Sequence, residues 1–495
     1  MKTKKYILAI DEGTTSCRAV LFSMRDLRAV YTCSGSLEMR YPQNGWVEQD
    51  ADEIYKKQML CVRRLFENGA YSASEVVAMG VTNQRESILI WDKRTCKPLS
   101  PVISWQCRRT SSECERIKSL GYEDMIKSKT GLVVDAYFSA TKLKWLLDNV
   151  RGAREMADKG ELLAGTIDSY LIYRMTKGAK HVTDVTNASR TMLFNINTLA
   201  WDKDLLDLFD IPENILPQVC ECAGDFGSVR VDGYDIPIRG IAGDQQASLI
   251  GQACFEKGDV KCTYGTGAFI LANIGDKAKI TKSPLITTVG YKINGVTAYA
   301  FEGSVFNAGS VILWLKEIGL ISSPGESEKV ADGVSDSGGV ILVPAFTGMG
   351  APYWDMTARA GLLGITRSTK REHIVRAGLE SIAYEIGEVF DMMSDALASP
   401  LSSLRADGGV SRNNLLLAMQ ADVIRATVSK SAETECTALG AAYLAGMGVG
   451  LTDMNKITES HVFEKIFEPT ESGAKITLKK EAWRKATLAI IDYGK

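Results

Sequence analysis

Two glycine-threonine segments, about half the chain apart, have the composition of anion-binding turns. The first is Asp11-Glu12-Gly13-Thr14-Thr15-Ser16 and the second Tyr264-Gly265-Thr266-Gly267. Glycine lets backbone N–H groups converge on an anion, and Thr and Ser hydroxyls add donors. One such turn carries little information. A pair, one in each half, implies a nucleotide held between two related domains. Neither turn is a P-loop, because no G-x-x-x-x-G-K-[ST] occurs, and Gly265-Thr266-Gly267 does not extend into G-x-G-x-x-G.

Carboxylates stand where phosphate chemistry would use them. Asp11 ends an apolar run beside the first turn, and Mg²⁺ needs only one or two carboxylates besides water and phosphate oxygens. A turn-forming Asp bonded to its own backbone is the plainer alternative. Asp244 follows the apolar run 236–242 in Gly243-Asp244-Gln245-Gln246. It is a candidate general base for a hydroxyl nucleophile, or else the N-cap of a helix from Ala247. Arg85 and Glu86 close the polar cluster Asn83-Gln84-Arg85-Glu86; alone, such a pair reads best as a solvated turn. Trp105, Tyr137 and Phe269 are aromatic candidates, Phe269 because it adjoins the second turn. Asp407-Gly408-Gly409 leads to Asn413 at a helix start, a third approach to a nucleotide.

The elements that must position these residues alternate between strand and helix, which favours an α/β architecture. Each turn lies between β-rich runs, 6–10 and 17–22 for the first and 260–263 and 268–272 for the second, so each reads as a hairpin. Helical spacing covers 50–68 through Ile54, Met59, Val62 and Leu65. Strands are expected at 76–82, 87–91 and 236–242, and a helix at 247–254. The polar clusters then sit at strand ends, where open α/β sheets bind ligands. A domain boundary is expected near 250–258. Segment 346–364, rich in Gly and aromatics, reads as an ordered loop contacting a site or the other domain. Segment 436–452 is Ala- and Gly-rich, too short for a membrane span, and reads as a tightly packed helix.

With 495 residues, the chain is too long for one core, and two large domains are expected. Its net charge of −2 gives no general attraction to nucleic acid or anionic membrane, so phosphate binding must be local. Eleven cysteines without a C-x-x-C pair, and only three histidines, argue against zinc and for reduced thiols in a cytoplasmic setting. A strand ending at Asp11 follows the basic start Met-Lys-Thr-Lys-Lys, so no signal peptide or integral membrane association is expected.

Nine blocks, in order from the N-terminus to about residue 450, closely resemble the FGGY carbohydrate kinase family, and within it the glycerol kinases. They are I-D-E-G-T-T-S-C-R (10–18), G-V-T-N-Q-R-E-S (80–87), W-Q-C-R-R-T (105–110), T-D-V-T-N-A-S-R-T-M-L-F-N-I (183–196) and G-I-A-G-D-Q-Q-A (240–247). T-Y-G-T-G-A-F (263–269), F-T-G-M-G-A-P-Y-W-D (346–355), D-G-G-V-S-R-N-N (407–414) and T-A-L-G-A-A-Y-L-A-G (437–446) complete the set. The resemblance implies two ribonuclease-H-like domains of actin/hexokinase type flanking a catalytic cleft: 1–252 on the glycerol and phosphate side and 253–495 on the nucleotide side. It also implies ATP and Mg²⁺, sn-glycerol 3-phosphate as product, and a homo-oligomer, dimer or tetramer.

By the same resemblance, glycerol would lie against Arg85, Glu86, Trp105, Tyr137, Asp244, Gln245 and Phe269. ATP would meet Thr14, Thr15, Ser16 and Arg18 at its phosphates, and Thr266, Gly309, Gly409 and Asn413 on the other side. Asp11 would hold Mg²⁺ through water, and Asp244 would be the base. Two departures stand out. Leu313 replaces a common Gln near the adenine. Segment 229–236 lacks the basic residue and the histidine that some members use for control, so neither control is expected. A kinase for a longer polyol or ketose, and an actin- or Hsp70-like ATPase module, are the competing readings.

Overall fold

The computed structural model describes residues 4–355 and 357–494. Each glycine-threonine turn closes a hairpin at the centre of its own mixed sheet. The first sheet holds β1 (Tyr6–Glu12), β2 (Ser16–Ser23), β3 (Ala29–Ser36), β4 (Val76–Asn83), β5 (Ser228–Val231) and β6 (Tyr234–Gly243), in the order β5-β6-β4-β1-β2-β3. The second holds β7 (Val260–Tyr264), β8 (Ala268–Gly275), β9 (Ile286–Ile293), β10 (Val296–Val305), β11 (Ser403–Asp407), β12 (Thr427–Ser431) and β13 (Phe463–Phe467). Its order is β9-β10-β8-β7-β11-β12-β13.

One pattern recurs in both. Strands β3-β2-β1 are antiparallel and β4 and β6 continue parallel to β1. Likewise β10-β8-β7 are antiparallel and β11 and β12 continue parallel to β7. This is the ribonuclease-H-like arrangement, present twice.

Strand faces explain the unbroken apolar runs. Ile7, Ala9, Val20 and Phe22 face a core that continues into the second half. Leu8, Ile10, Ala19 and Leu21 face the opposite way, against Ile54, Met59 and Val62 of α1 (Ala51–Arg64). With both faces covered, alternation disappears from the sequence. Helix α1 is shorter than the expected 50–68. Leu65 and Phe66 bond three residues back, to Val62 and Arg63, and Gly69 then takes a left-handed conformation that ends the coil.

Helix α2 (Asp244–Gly251) begins three residues before the expected start, with Asp244 itself as its first residue. In the second half, α3 (Gly309–Glu317) and α5 (Asn414–Ile424) flank the long α4 (Arg371–Leu397), which lies on β8 and β10. The Ala/Gly-rich segment is α6 (Cys436–Gly448), packed on α2, β4 and β6, so a helix from the second half covers the first sheet. Its small residues permit near contact of backbones: a Cβ on Gly440 would stand 1.8 Å from the Ala247 carbonyl oxygen.

Between β4 and β5 an insert supplies Val102–Ile103, Ile88–Asp92 and Leu162–Thr166, which with Glu48–Gln49 from before α1 form a small sheet with its own core around Ile90, Phe138 and Leu143. Loop 346–364 is ordered at its described residues: the Trp354 indole donates to the Pro284 carbonyl and packs against both the second-half core and the insert. Met356 lies outside the described residues. All eleven cysteines are unpaired, and no helix among the described residues is long and apolar enough to cross a membrane.

Candidate active site

The second turn, the start of α3 and the third glycine segment meet by backbone contact, while the first turn closes on itself. In the first, the Gly13 N–H donates to Ser16 O at 2.9 Å, closing the hairpin between Asp11 and Arg18, which are cross-strand partners. Thr15 is exposed; Thr14 and Ser16 are half-buried. In the second, Gly265 N–H donates to Gly267 O, and the start of α3 folds back onto the turn through Gly309 N–H to Gly265 O at 2.9 Å. A Cβ on Gly309 would stand 2.6 Å from that oxygen and 3.2 Å from a Val410 methyl. Gly408, with φ of 91°, presses on Tyr264, where a Cβ would lie 2.5 Å from its carbonyl oxygen. Only glycine fits there. Thr266, Gly309 and Gly409 are thereby gathered at one place. Asn413 is close by, but its carboxamide already caps α5 through Leu416 N–H and bonds Ser327.

Asp11 is nearly buried. Burial raises its carboxyl to about 7; Arg18, at 3.3 Å, opposes the rise, and the charges of Glu435 and Asp244 add to it. Asp244 and Asp11 therefore share one field. Arg18 also bridges to Glu435 at 3.2 Å, joining β2 to the residue before α6. Trp105 is tied to the first turn, its indole N–H donating to Thr14 Oγ1 at 2.9 Å.

The polar cluster at the end of β4 is the reverse of a solvated turn. Arg85 and Glu86 are 3% and 2% exposed, and Glu86 holds a left-handed φ of 60°. Two residues not singled out from the sequence account for the burial. Glu302 on β10 accepts from both terminal nitrogens of Arg85, at 2.6 and 3.0 Å. Arg190 donates to Glu86 at 2.6 Å and to Glu302 at 2.9 Å.

A buried charge without partners is very costly, and removing one partner from such a pair costs about 3–5 kcal/mol. Burial pushes the Glu302 carboxyl up, but Arg190 and Arg85 outweigh it and hold it at about 2. For Glu86, burial wins over Arg190 and Arg85 and the carboxyl is raised. The Arg190 guanidinium also lies 5.7 Å from the Tyr137 ring centre and 5.3 Å from that of Phe138.

Asp244 is the water-facing member of this cluster. Its side chain is 29% exposed, against 2% for those of Arg85 and Glu86 and none for Arg190 and Glu302. The N-cap alternative fails: Gly243 holds that position and no side chain caps the helix. Instead, Asp244 Oδ1 lies 3.1 Å from Arg85 Nε, and Oδ2 accepts from the Gln245 amide at 3.2 Å. Tyr137 and Trp105 form an aromatic corner, ring centres 5.5 Å apart and nearly perpendicular. Phe269 is half-buried, in register with Thr263 and Ser304, and no ring contact among the described residues joins it to that corner. Leu313 is largely exposed on α3. In segment 229–236, Arg230 is paired with Asp235 across the hairpin.

Asp11 fits the demands of a magnesium site that the ligand completes. It offers one carboxylate beside a phosphate-sized turn, and no cluster of three or more metal-ligating side chains exists among the described residues.

Comparison with known proteins agrees with the two-domain fold. Residues 6–251 match the N-terminal domain of the FGGY family of carbohydrate kinases, and residues 260–449 its C-terminal domain. The chain is 48% identical to the glycerol kinase of Halorhodospira halophila over 494 residues, covering 99% of this chain and 97% of that one. It is 50% identical to that of Pseudothermotoga lettingae over 471 residues, 94% of each. Among solved structures, Plasmodium falciparum glycerol kinase with ADP superposes with a TM-score of 0.92 at 35% identity, over 99% of both chains. A gluconate kinase from Lactobacillus acidophilus, at 24% identity and a TM-score of 0.86, shares the fold.

Proposed function

The chain belongs to the FGGY family of carbohydrate kinases, and from that premise we propose that it transfers the γ-phosphoryl group of ATP to a terminal hydroxyl of glycerol, giving sn-glycerol 3-phosphate. The observation that carries this reading is the half-buried, water-facing carboxylate of Asp244 at the edge of an otherwise buried charge cluster. Arg85 and Glu86 present fixed donors and acceptors for adjacent hydroxyls, Gln245 adds an amide, and Trp105 and Tyr137 offer apolar walls. Phe269 supplies a further wall from the second half. A small triol needs this density of polar groups, and an analogue lacking a hydroxyl would leave one of them unpaired.

Asp244 accepts the proton of the attacking hydroxyl while that oxygen advances on phosphorus in line. On the ATP side, the amides and hydroxyls of Thr14, Thr15 and Ser16, with Arg18, balance phosphate charge. Thr266, Gly309, Gly409 and Asn413 hold the rest of the nucleotide. Asp11 would hold Mg²⁺ through water, and the ion, when bound, supplies charge neutralisation at the phosphates. Water competes as a nucleophile, so closure of the cleft around glycerol is part of the reading. The eleven unpaired thiols support a reducing, cytoplasmic setting.

The test is ADP release from Mg-ATP with and without glycerol, by the native protein and by Asp244→Asn. Glycerol-dependent turnover that the variant loses is the expected result. Turnover indifferent to glycerol, or a preference for xylulose, overturns the assignment.

A further inference from the structure

Two charged side chains of the second sheet are completely buried, yet their charged ends meet residues of the first half. Glu302, on β10, grips Arg85 with both oxygens. Lys261, on β7, donates to Gln245 Oε1 at 2.5 Å and to Thr263 Oγ1 at 2.9 Å. Arg85 and Gln245 are the two residues that reach the two oxygens of Asp244.

The chemistry of each contact fixes a direction. A guanidinium is a planar, rigid fork. With both terminal nitrogens on Glu302, and Nη1 also donating to Gln246 Oε1 at 3.2 Å, the fork cannot turn, and its Nε side stands 3.1 Å from Asp244 Oδ1 as an ion pair. A carboxamide can present oxygen or nitrogen to a neighbour, but an ammonium group has donors only. Lys261 therefore compels Gln245 to offer its oxygen on one side, which turns its NH₂ toward Asp244 Oδ2.

We propose that Glu302 and Lys261 are positioning residues for the phosphoryl-transfer base, holding Arg85 and Gln245 against its two oxygens from the opposite half of the chain. The proposal rests on the reading of Asp244 as the base. It makes alignment of that base depend on how the two sheets are seated against each other, not on α2 alone. Burial lowers the tendency of Lys261 to hold its proton, while the charges of Asp407 and Asp244 favour the ammonium form that the contact requires.

The experiment compares the native enzyme with Glu302→Gln and Lys261→Met, both near-isosteric. For each, kcat and KM are measured with glycerol and with ATP, together with ATP affinity by calorimetry and the thermal midpoint. A misplacement of about 1 Å costs about 10²-fold in rate, so kcat should fall by that order in Glu302→Gln, which loosens a charged group beside Asp244, and by about tenfold in Lys261→Met, which loosens a neutral carboxamide. ATP affinity should stay within about twofold of native in both, because the phosphate turns are untouched. Folded variants with native kcat and native KM for glycerol overturn the proposal. So does loss of ATP binding together with a collapsed thermal midpoint in both variants, which marks a structural role only. Absence of glycerol-dependent turnover in the native enzyme refutes the underlying assignment instead, and is seen before any variant is measured.

Discussion

Replacing Gly440 by Ala probes how closely α6 must approach the helix that begins with Asp244. The added Cβ would stand 1.8 Å from the Ala247 carbonyl oxygen and 3.0 Å from the Gly251 nitrogen. Both are backbone atoms, so neither can swing aside. Ordinary contact begins at 3.4 Å, and the helices must part by about 1.6 Å along that direction to reach it. Helix propensity works the other way, favouring Ala over Gly by about 1 kcal/mol. Overpacking costs about 1–3 kcal/mol and occasionally more, and a clash of two backbones belongs at the upper end. The net loss should be about 2 kcal/mol.

The same displacement reaches Ala247, three residues from Asp244 on one helix, so kcat should drop by one to two orders of magnitude, given about 10²-fold per 1 Å of misplacement. Urea unfolding and steady-state turnover measure the two effects. Gly325→Ala is the control, since a Cβ there meets nothing within 4 Å, and it should change stability by no more than about 0.5 kcal/mol. A Gly440→Ala protein as stable and active as the native one would refute the reasoning, showing that the α2–α6 contact yields without consequence.

Asp168 is buried, and burial raises its carboxyl to about 7 from 3.8 against the donations of Thr166 and Thr183. Folding therefore favours the neutral form. Its contribution is complete below pH 4 and is lost as pH rises through 7, with an upper bound of about 4 kcal/mol. Unfolding free energy should fall across that window less steeply in Asp168→Asn than in the native protein; parallel profiles would show the carboxyl to be uncoupled from folding. Trp105→Phe removes the indole bond to Thr14, worth about 1 kcal/mol, and should raise KM for both glycerol and ATP about fivefold, since Thr14 belongs to the phosphate turn. An effect on glycerol alone would deny that link. Cys33, Cys96 and Cys220 are half-buried and the other eight cysteines are buried, so a thiol reagent should titrate three groups quickly in the native protein and all eleven after unfolding. Rapid reaction of a fourth would contradict the burial of the other eight.

What could be read along the chain was whatever its neighbours in sequence determine. The hairpins at Gly13 and Gly265 are set by turn chemistry between apolar runs, and both formed as expected. Helix limits shifted where a tertiary contact decided them. The expected helix at 247–254 starts instead at Asp244, whose side chain is held by Arg85, far away in sequence. Segment 346–364 is ordered by contacts to Pro284 and Glu388 that no local pattern announces.

Arg85-Glu86 shows why the site was harder to read than the fold. Adjacent opposite charges at a strand end have the composition of a wet turn, and nothing within twenty residues says otherwise. Their burial depends on Arg190 and Glu302, 104 and 217 positions away from the residues they bond. A signal for Glu302, and for Lys261 behind Gln245, did exist. Glu302 is the one charged residue in the strand Val296–Val305, and Lys261 is the one charged residue in Val260–Tyr264. A charge set in an apolar strand must be neutralised or matched, because its desolvation cost exceeds what the strand's apolar neighbours contribute. Each such residue therefore implies a complementary buried group elsewhere in the chain. Here the two complements are Arg85 and Gln245, and both touch Asp244. Lone charges in otherwise apolar strands thus mark the supports of the site, while the groups that face the cleft carry no such mark.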